Sequence, residues 1–182
     1  MTRGPTLPAH RLPYLPKPLD AFNNAPGDEA RTLLLHCLGS LRWSHRIADH
    51  RPYPDLDSLL AAADEAAYDL SPGDLAEALA GESLLELPED TYSAASMALS
   101  AAHAAYEARF GHAFVIYLGD IPPDEALDHT LEAIRSRLTN DPEEERVTAA
   151  EELRRLARGR LLARLRGAGN RATTPRAPAV GT

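Results

Sequence analysis

A helix that ends at a glycine and passes at once into a short apolar run constrains this chain more than any other feature. From His103 to Leu118 the sequence reads HAAYEARFGHAFVIYL. Leu99, His103, Tyr106 and Phe110 fall three or four residues apart, so one helix face carries them all until Gly111 ends it. The run Phe114 to Leu118 is too short for another helix and contains β-branched and aromatic residues, which predicts extended backbone. Extended backbone inside a helical protein must find hydrogen-bond partners. A bound ligand rich in N–H and C=O groups is one candidate for that partner.

That the rest is helical follows from its composition. Alanine and leucine dominate the 182 residues, while valine, isoleucine and aromatics are scarce. A net charge of −8 and a pI near 5.3 argue against nucleic acid or an anionic membrane surface as the main partner. The single cysteine, Cys37, excludes an internal disulfide and fits a reducing, cytoplasmic setting. No apolar run approaches the roughly 20 residues that span a bilayer, and the N-terminus lacks a signal-peptide pattern. The expectation is a cytoplasmic, all-α, single-domain multi-helix bundle with one short extended segment.

Residues 1–18 hold too many prolines for helix or sheet and read as a flexible leader. Residues 167–182 read as a polar Gly/Pro/Thr-rich tail, leaving 19–166 as the domain. About seven helices are predicted within it. One opens at Gly27-Asp28 and closes by Gly39; Ser40 caps the next, to about His50; Leu56 to Tyr68 is amphipathic. Ser71-Pro72-Gly73-Asp74 combines a cap, an N1 proline and an acid at N3, opening a helix that ends at Gly81. A longer helix follows Pro88-Glu89-Asp90, another covers Pro122 to Leu138, and the last runs from Asp141-Pro142 to Gly167. The acids from Asp141 to Glu145 read mostly as a solvated helix start, favoured there by the helix dipole.

Two residues invite a chemical reading. His103 points inward with the aromatics, either as a core histidine hydrogen-bonded to backbone or as a group that contacts a polar heterocycle. Arg160 lies about 20° from Leu153 on the helical wheel, with Leu156 and Ala157 flanking, so a permanent cation enters the apolar arc. A desolvated guanidinium needs an anion. An internal Asp or Glu would serve, as would a carboxylate-bearing substrate; alternatively the stem covers the core while the head reaches water. No metal pair, Cys/His cluster, P-loop, dinucleotide motif or Gly-x-Ser-x-Gly is present.

Several segments together resemble one family. They are Phe22-Asn23, Cys37-Leu38-Gly39-Ser40-Leu41-Arg42-Trp43, Arg51-Pro52-Tyr53, Glu77-Ala78-Leu79-Ala80 and Tyr106 through Ile116. Arg137-Leu138-Thr139-Asn140-Asp141-Pro142 with Glu145, and Gly159-Arg160-Leu161, complete the set. In order and spacing they resemble the 2-oxo-4-hydroxy-4-carboxy-5-ureidoimidazoline (OHCU) decarboxylases, which form (S)-allantoin at the end of urate breakdown. The resemblance implies a cofactor-free, all-helical fold, commonly a homodimer, acting on a small ureidoimidazoline. It also implies that the backbone of Phe114, Val115, Ile116, Tyr117 and Leu118 binds the ureido and ring amides, and that Arg160 contacts the substrate anion. The family places a catalytic histidine in a His-Pro pair after the Glu77 to Ala80 motif; here Gly81-Glu82-Ser83-Leu84 follows. Its Ser-x-x-Glu-Gln motif is matched only by Ser83-Leu84-Leu85-Glu86, and its usual asparagine before the Tyr-x-x-x-Phe-Gly stretch is His103. Proton transfer is therefore expected from Glu82, Glu86 or His103 in a rearranged site. A ligand-binding family member without turnover is the alternative function.

Overall fold

The computed structural model describes residues 17–83 and 93–170, with side chains over 17–83 and 94–166. Among these residues there are eight helices and no strand. They are α1 (Pro18–Asn24), α2 (Gly27–Leu35), α3 (Leu41–Asp49), α4 (Leu56–Tyr68), α5 (Pro72–Ala80), α6 (Ser93–Phe110), α7 (Ala126–Arg137) and α8 (Pro142–Asn170). The all-α expectation holds, with one more helix than the sequence indicated. No helix is long and apolar enough to cross a membrane among the described residues.

Side-chain caps start three of the helices, at Ser40 and the Ser71/Asp74 box as predicted and at Asp55 in addition. The Ser40 hydroxyl accepts from Trp43 N at 3.3 Å. Asp55 accepts from Ser58 N at 2.7 Å, and Ser71 and Asp74 cap each other reciprocally. α7 begins at Ala126 rather than at Pro122. Pro123 drives the residue before it out of the helical region, so residues 122–125 form a turn first, closed by Glu125 N donating to Pro122 O.

α1 opens at Pro18, a residue the sequence reading gave to the leader, and a turn pins it. The Asn23 amide clasps the Tyr53 backbone from both sides, accepting from N at 2.9 Å and donating to O at 2.8 Å. Arg51 donates to the carbonyls of Phe22, Ala25 and Ala48. These contacts give the Phe22-Asn23 and Arg51-Pro52-Tyr53 segments their shared purpose.

α8 is the spine, about 44 Å long at 1.5 Å per residue. It packs against α1, α4 and α5, while α2 packs on α3, α3 on α4, and α6 on α7. The larger core gathers Leu34, Trp43, Ile47, Leu59, Leu153 and Leu161, with the Trp43 indole N–H donating to Ala63 O at 2.9 Å. A smaller core holds Leu99, Tyr106, Phe114 and Ile134 between α6 and α7. Residues 113–118 lie outside any helix or strand and run along the seam. Successive side chains of extended backbone point opposite ways. Val115 accordingly joins the larger core, and Phe114 and Ile116 the smaller. The seam is where the candidate site forms.

Candidate functional site

Three elements meet at the seam. α5 ends at Gly81, whose N–H and that of Glu82 return to Ala78 O and Leu79 O, leaving the Glu82 side chain just past the helix. α6 turns His103 inward between Leu99 and Tyr106, all three buried. α8 carries Leu156 and Arg160 on the facing side. Together with Ser83, Phe114, Val115, Ile116 and Leu118 they line a cavity of about 170 Å³.

Arg160 holds Glu82 in a two-pronged pair, Nη1 to Oε1 at 2.8 Å and Nη2 to Oε2 at 2.7 Å. Nη1 also donates to Cys37 O at 3.1 Å. Of the readings left open by the sequence, the structure shows the internal carboxylate. The Glu82 side chain is 6% exposed and that of Arg160 36%, so the guanidinium remains reachable from the cavity. Its hydrogen bond to Glu82 holds the Arg160 pKa above the ordinary arginine value. Beneath the pair, burial pushes the Cys37 thiol up to about 11, so this cysteine is a packed thiol rather than a nucleophile.

His103 is 5% exposed, and its Nε2 has no hydrogen-bond partner among the described residues. Its ring stacks near Phe114, with centroids 6.2 Å apart. Burial holds its pKa below the ordinary 6.5, so the imidazole is neutral at pH 7. A core histidine normally satisfies its nitrogens, and a buried polar atom left open costs on the order of 1–3 kcal/mol. His103 thus brings a buried, unpartnered nitrogen to a residue that lines the cavity.

The extended segment takes two of its partners from the protein itself. Arg137 Nη1 donates to Val115 O at 2.7 Å, and Tyr117 N donates to Glu152 Oε2 at 2.7 Å. The Tyr117 ring lies against Gly159, where a Cβ would come within 2.8 Å of it, and its hydroxyl against Gly119. Glycine next to Arg160 is thus required by the close approach of a neighbouring ring. Glu86 lies outside the described residues.

The support behind the segment was missed from the sequence. Arg137 and Glu145 are buried and paired, with Nε to Oε1 at 2.9 Å and a second bond from Nη2. The Tyr106 hydroxyl donates to Glu145 Oε1 and Asn140 Nδ2 donates to Oε2 at 2.9 Å. The Arg137 guanidinium sits 4.4 Å from the Phe114 ring centroid. Burial, and after it the bond to Glu145, raise the Tyr106 phenol pKa, so it stays a donor. Asp141, Glu143 and Glu144 are exposed as expected, but Glu145 is fully buried. A signal for it existed: Glu145, Ala149 and Leu153 are spaced four apart, which puts Glu145 on the apolar stripe of α8.

The sequence model of the family described as OHCU decarboxylase matches residues 23–162, most of the chain and every element of this site. The chain belongs to the OHCU decarboxylase family. Among solved structures, it is similar to a crystal structure of (S)-allantoin synthase, with TM-score 0.65 and 19% identity over 82% of this chain and 54% of that one. It is also similar to an OHCU decarboxylase crystallised in the presence of (S)-allantoin, with TM-score 0.64 and 20% identity over 78% of this chain and 98% of that one. The chain thus spans about half of the synthase and nearly all of the decarboxylase. At these identities the likeness is one of fold. No curated protein matches by sequence. By the resemblance, Gly81 stands where the family histidine would be.

Proposed function

We propose that the chain is a cofactor-free carboxy-lyase converting 2-oxo-4-hydroxy-4-carboxy-5-ureidoimidazoline to (S)-allantoin in purine catabolism. The unpartnered Nε2 of His103, on a residue that lines one cavity with Arg160, Phe114, Val115, Ile116 and Leu118, is the observation that carries this reading. Arg160 holds the substrate carboxylate, and the backbone of the segment holds the ureido group. When the carbon–carboxylate bond breaks, its electron pair enters the ring, so no metal or organic cofactor is needed to receive it. The ring nitrogen that receives the pair takes a proton from water; neutral His103 accepts the hydroxyl proton as that carbon becomes a carbonyl and returns it to the neighbouring carbon.

Two expectations follow from the roles. In a coupled assay that makes the unstable substrate in place from urate, circular dichroism is expected to show one-handed allantoin forming faster than the spontaneous background. Racemic product at the background rate would overturn turnover. His103→Gln is expected to lower kcat by about a hundredfold, the lower end for loss of a general base. With the His103 pKa below 6.5, the base is intact at and above neutral pH, and the rate should fall as pH drops beneath that value. A glutamine variant that retains both the rate and the acid limb assigns proton transfer elsewhere.

One observation favours a second reading, a binding protein for a ureide ligand without turnover. α5 ends at Gly81, which has no side chain, where the resemblance would put the family histidine. The urate-coupled assay separates the two readings.

A further inference from the structure

Glu82 does more at this site than balance a charge. Its carboxylate fills both prongs of the arginine that a ligand carboxylate would need. It also lines two cavities, the one of about 170 Å³ lined by His103 and a second of about 500 Å³. The second cavity is lined by Glu107, His112, Phe110 and the end of α5, and has room for a displaced side chain. Glu82 follows the last turn of α5, so its side chain turns without breaking a helix. Arg160 has a further bond, to Cys37 O, that does not depend on Glu82.

We propose that Glu82 is an internal competitor for the Arg160 anion subsite, so that a carboxylate-bearing ureide binds by exchange with it, the Glu82 side chain moving toward the second cavity. The inference rests on the reading of the cavity as a ureide site. It makes Glu82 the residue that sets charge selectivity. A neutral ureide meets the intact pair and takes only the contacts of His103 and the segment. A charged one must first displace a carboxylate, since two carboxylates on one fork repel at close range. Glu82 is thereby a specificity-determining residue, acting on ligand through Arg160.

Two hydantoins that differ in one charge make the probes: hydantoin-5-acetic acid and its primary amide. Each is titrated calorimetrically into the wild-type protein and into Glu82→Gln. The acid is expected to gain about tenfold over the amide in Glu82→Gln, because the competing charge is gone while the side-chain volume stays. If both probes bind and their ratio is the same in the two proteins, exchange is overturned and the ureide-site reading stands. If neither probe binds either protein, the site reading falls and exchange falls with it. Should Glu82→Gln fail to fold, the wild-type protein decides by NMR of the Glu82 side-chain carboxyl carbon. Its resonance moves with the acid and stays with the amide under exchange; an equal response to both overturns the proposal.

Discussion

Replacing Arg137 by methionine is expected to cost about 3–5 kcal/mol of unfolding free energy, because a fully buried Glu145 would lose its counter-charge. For a chain of this size that is a fall of about 6–20 °C in Tm. Arg137 stands apart from the surface pairs of α8, such as Arg146 with Glu143, which are solvent-screened and whose loss should barely register. The double variant Arg137→Met/Glu145→Leu is expected to recover part of the lost stability, since apolar residues of similar volume substitute well for a buried pair while the Tyr106 hydroxyl and Val115 O lose their partners. It should not recover ligand binding. Arg137 also anchors Val115 O and lies on the Phe114 ring, so removing the pair frees the segment that lines the cavity. Thermal unfolding followed by circular dichroism, beside a ligand titration of all three proteins, separates the two effects. A single variant within about 1 kcal/mol of wild type would mean that water reaches Glu145 and that the network is not a buried one.

The fold was legible wherever local chemistry decides the outcome. Ser40 and the Ser71/Asp74 box each announce a helix within four residues, and each helix starts there. α1 was not legible because seven residues are too few for a 3.6-residue period to show, and contacts with a turn nearly thirty residues away stabilise it. The acids at the start of α8 show the same limit in reverse. Dipole and solvation arguments treat Asp141, Glu143, Glu144 and Glu145 alike, and only the burial pattern of the whole helix singles out the last.

The site divides along similar lines. The wheel of α8 demands an anion for Arg160 but cannot name one, since Glu82 lies 78 positions earlier in the chain. The spacing of α6 turns His103 inward but does not say whether its nitrogens are satisfied; that depends on what the packed neighbours offer. The apolar run 114–118 required partners for its backbone, and two are side chains supplied by Arg137 and Glu152 from other elements. Local patterns thus report what a group needs, and tertiary packing decides what meets the need.

Arg160→Ala is expected to reduce kcat/KM by on the order of a hundredfold, and Arg160→Lys by less. A hydrogen-bonded charge pair lost from a binding site costs about 2–5 kcal/mol, with each 1.4 kcal/mol worth tenfold. Lysine keeps the charge but not the planar fork, so it can hold one carboxylate oxygen at a time where arginine holds both. Stability should move independently of rate. In Arg160→Ala the largely buried Glu82 is left facing its own desolvation, whereas Arg160→Ala/Glu82→Gln removes the stranded charge and should regain Tm without regaining activity. That contrast matters because the arginine already has a partner within the protein. If its purpose were only to tie α8 to the end of α5, restoring stability would restore function. If the double variant unfolds like the wild type but no longer turns over or binds the charged hydantoin, the fork is an anion subsite that the fold keeps occupied until ligand arrives. Full activity in Arg160→Ala would instead make the pair a structural clasp and move the carboxylate contact to another part of the cavity.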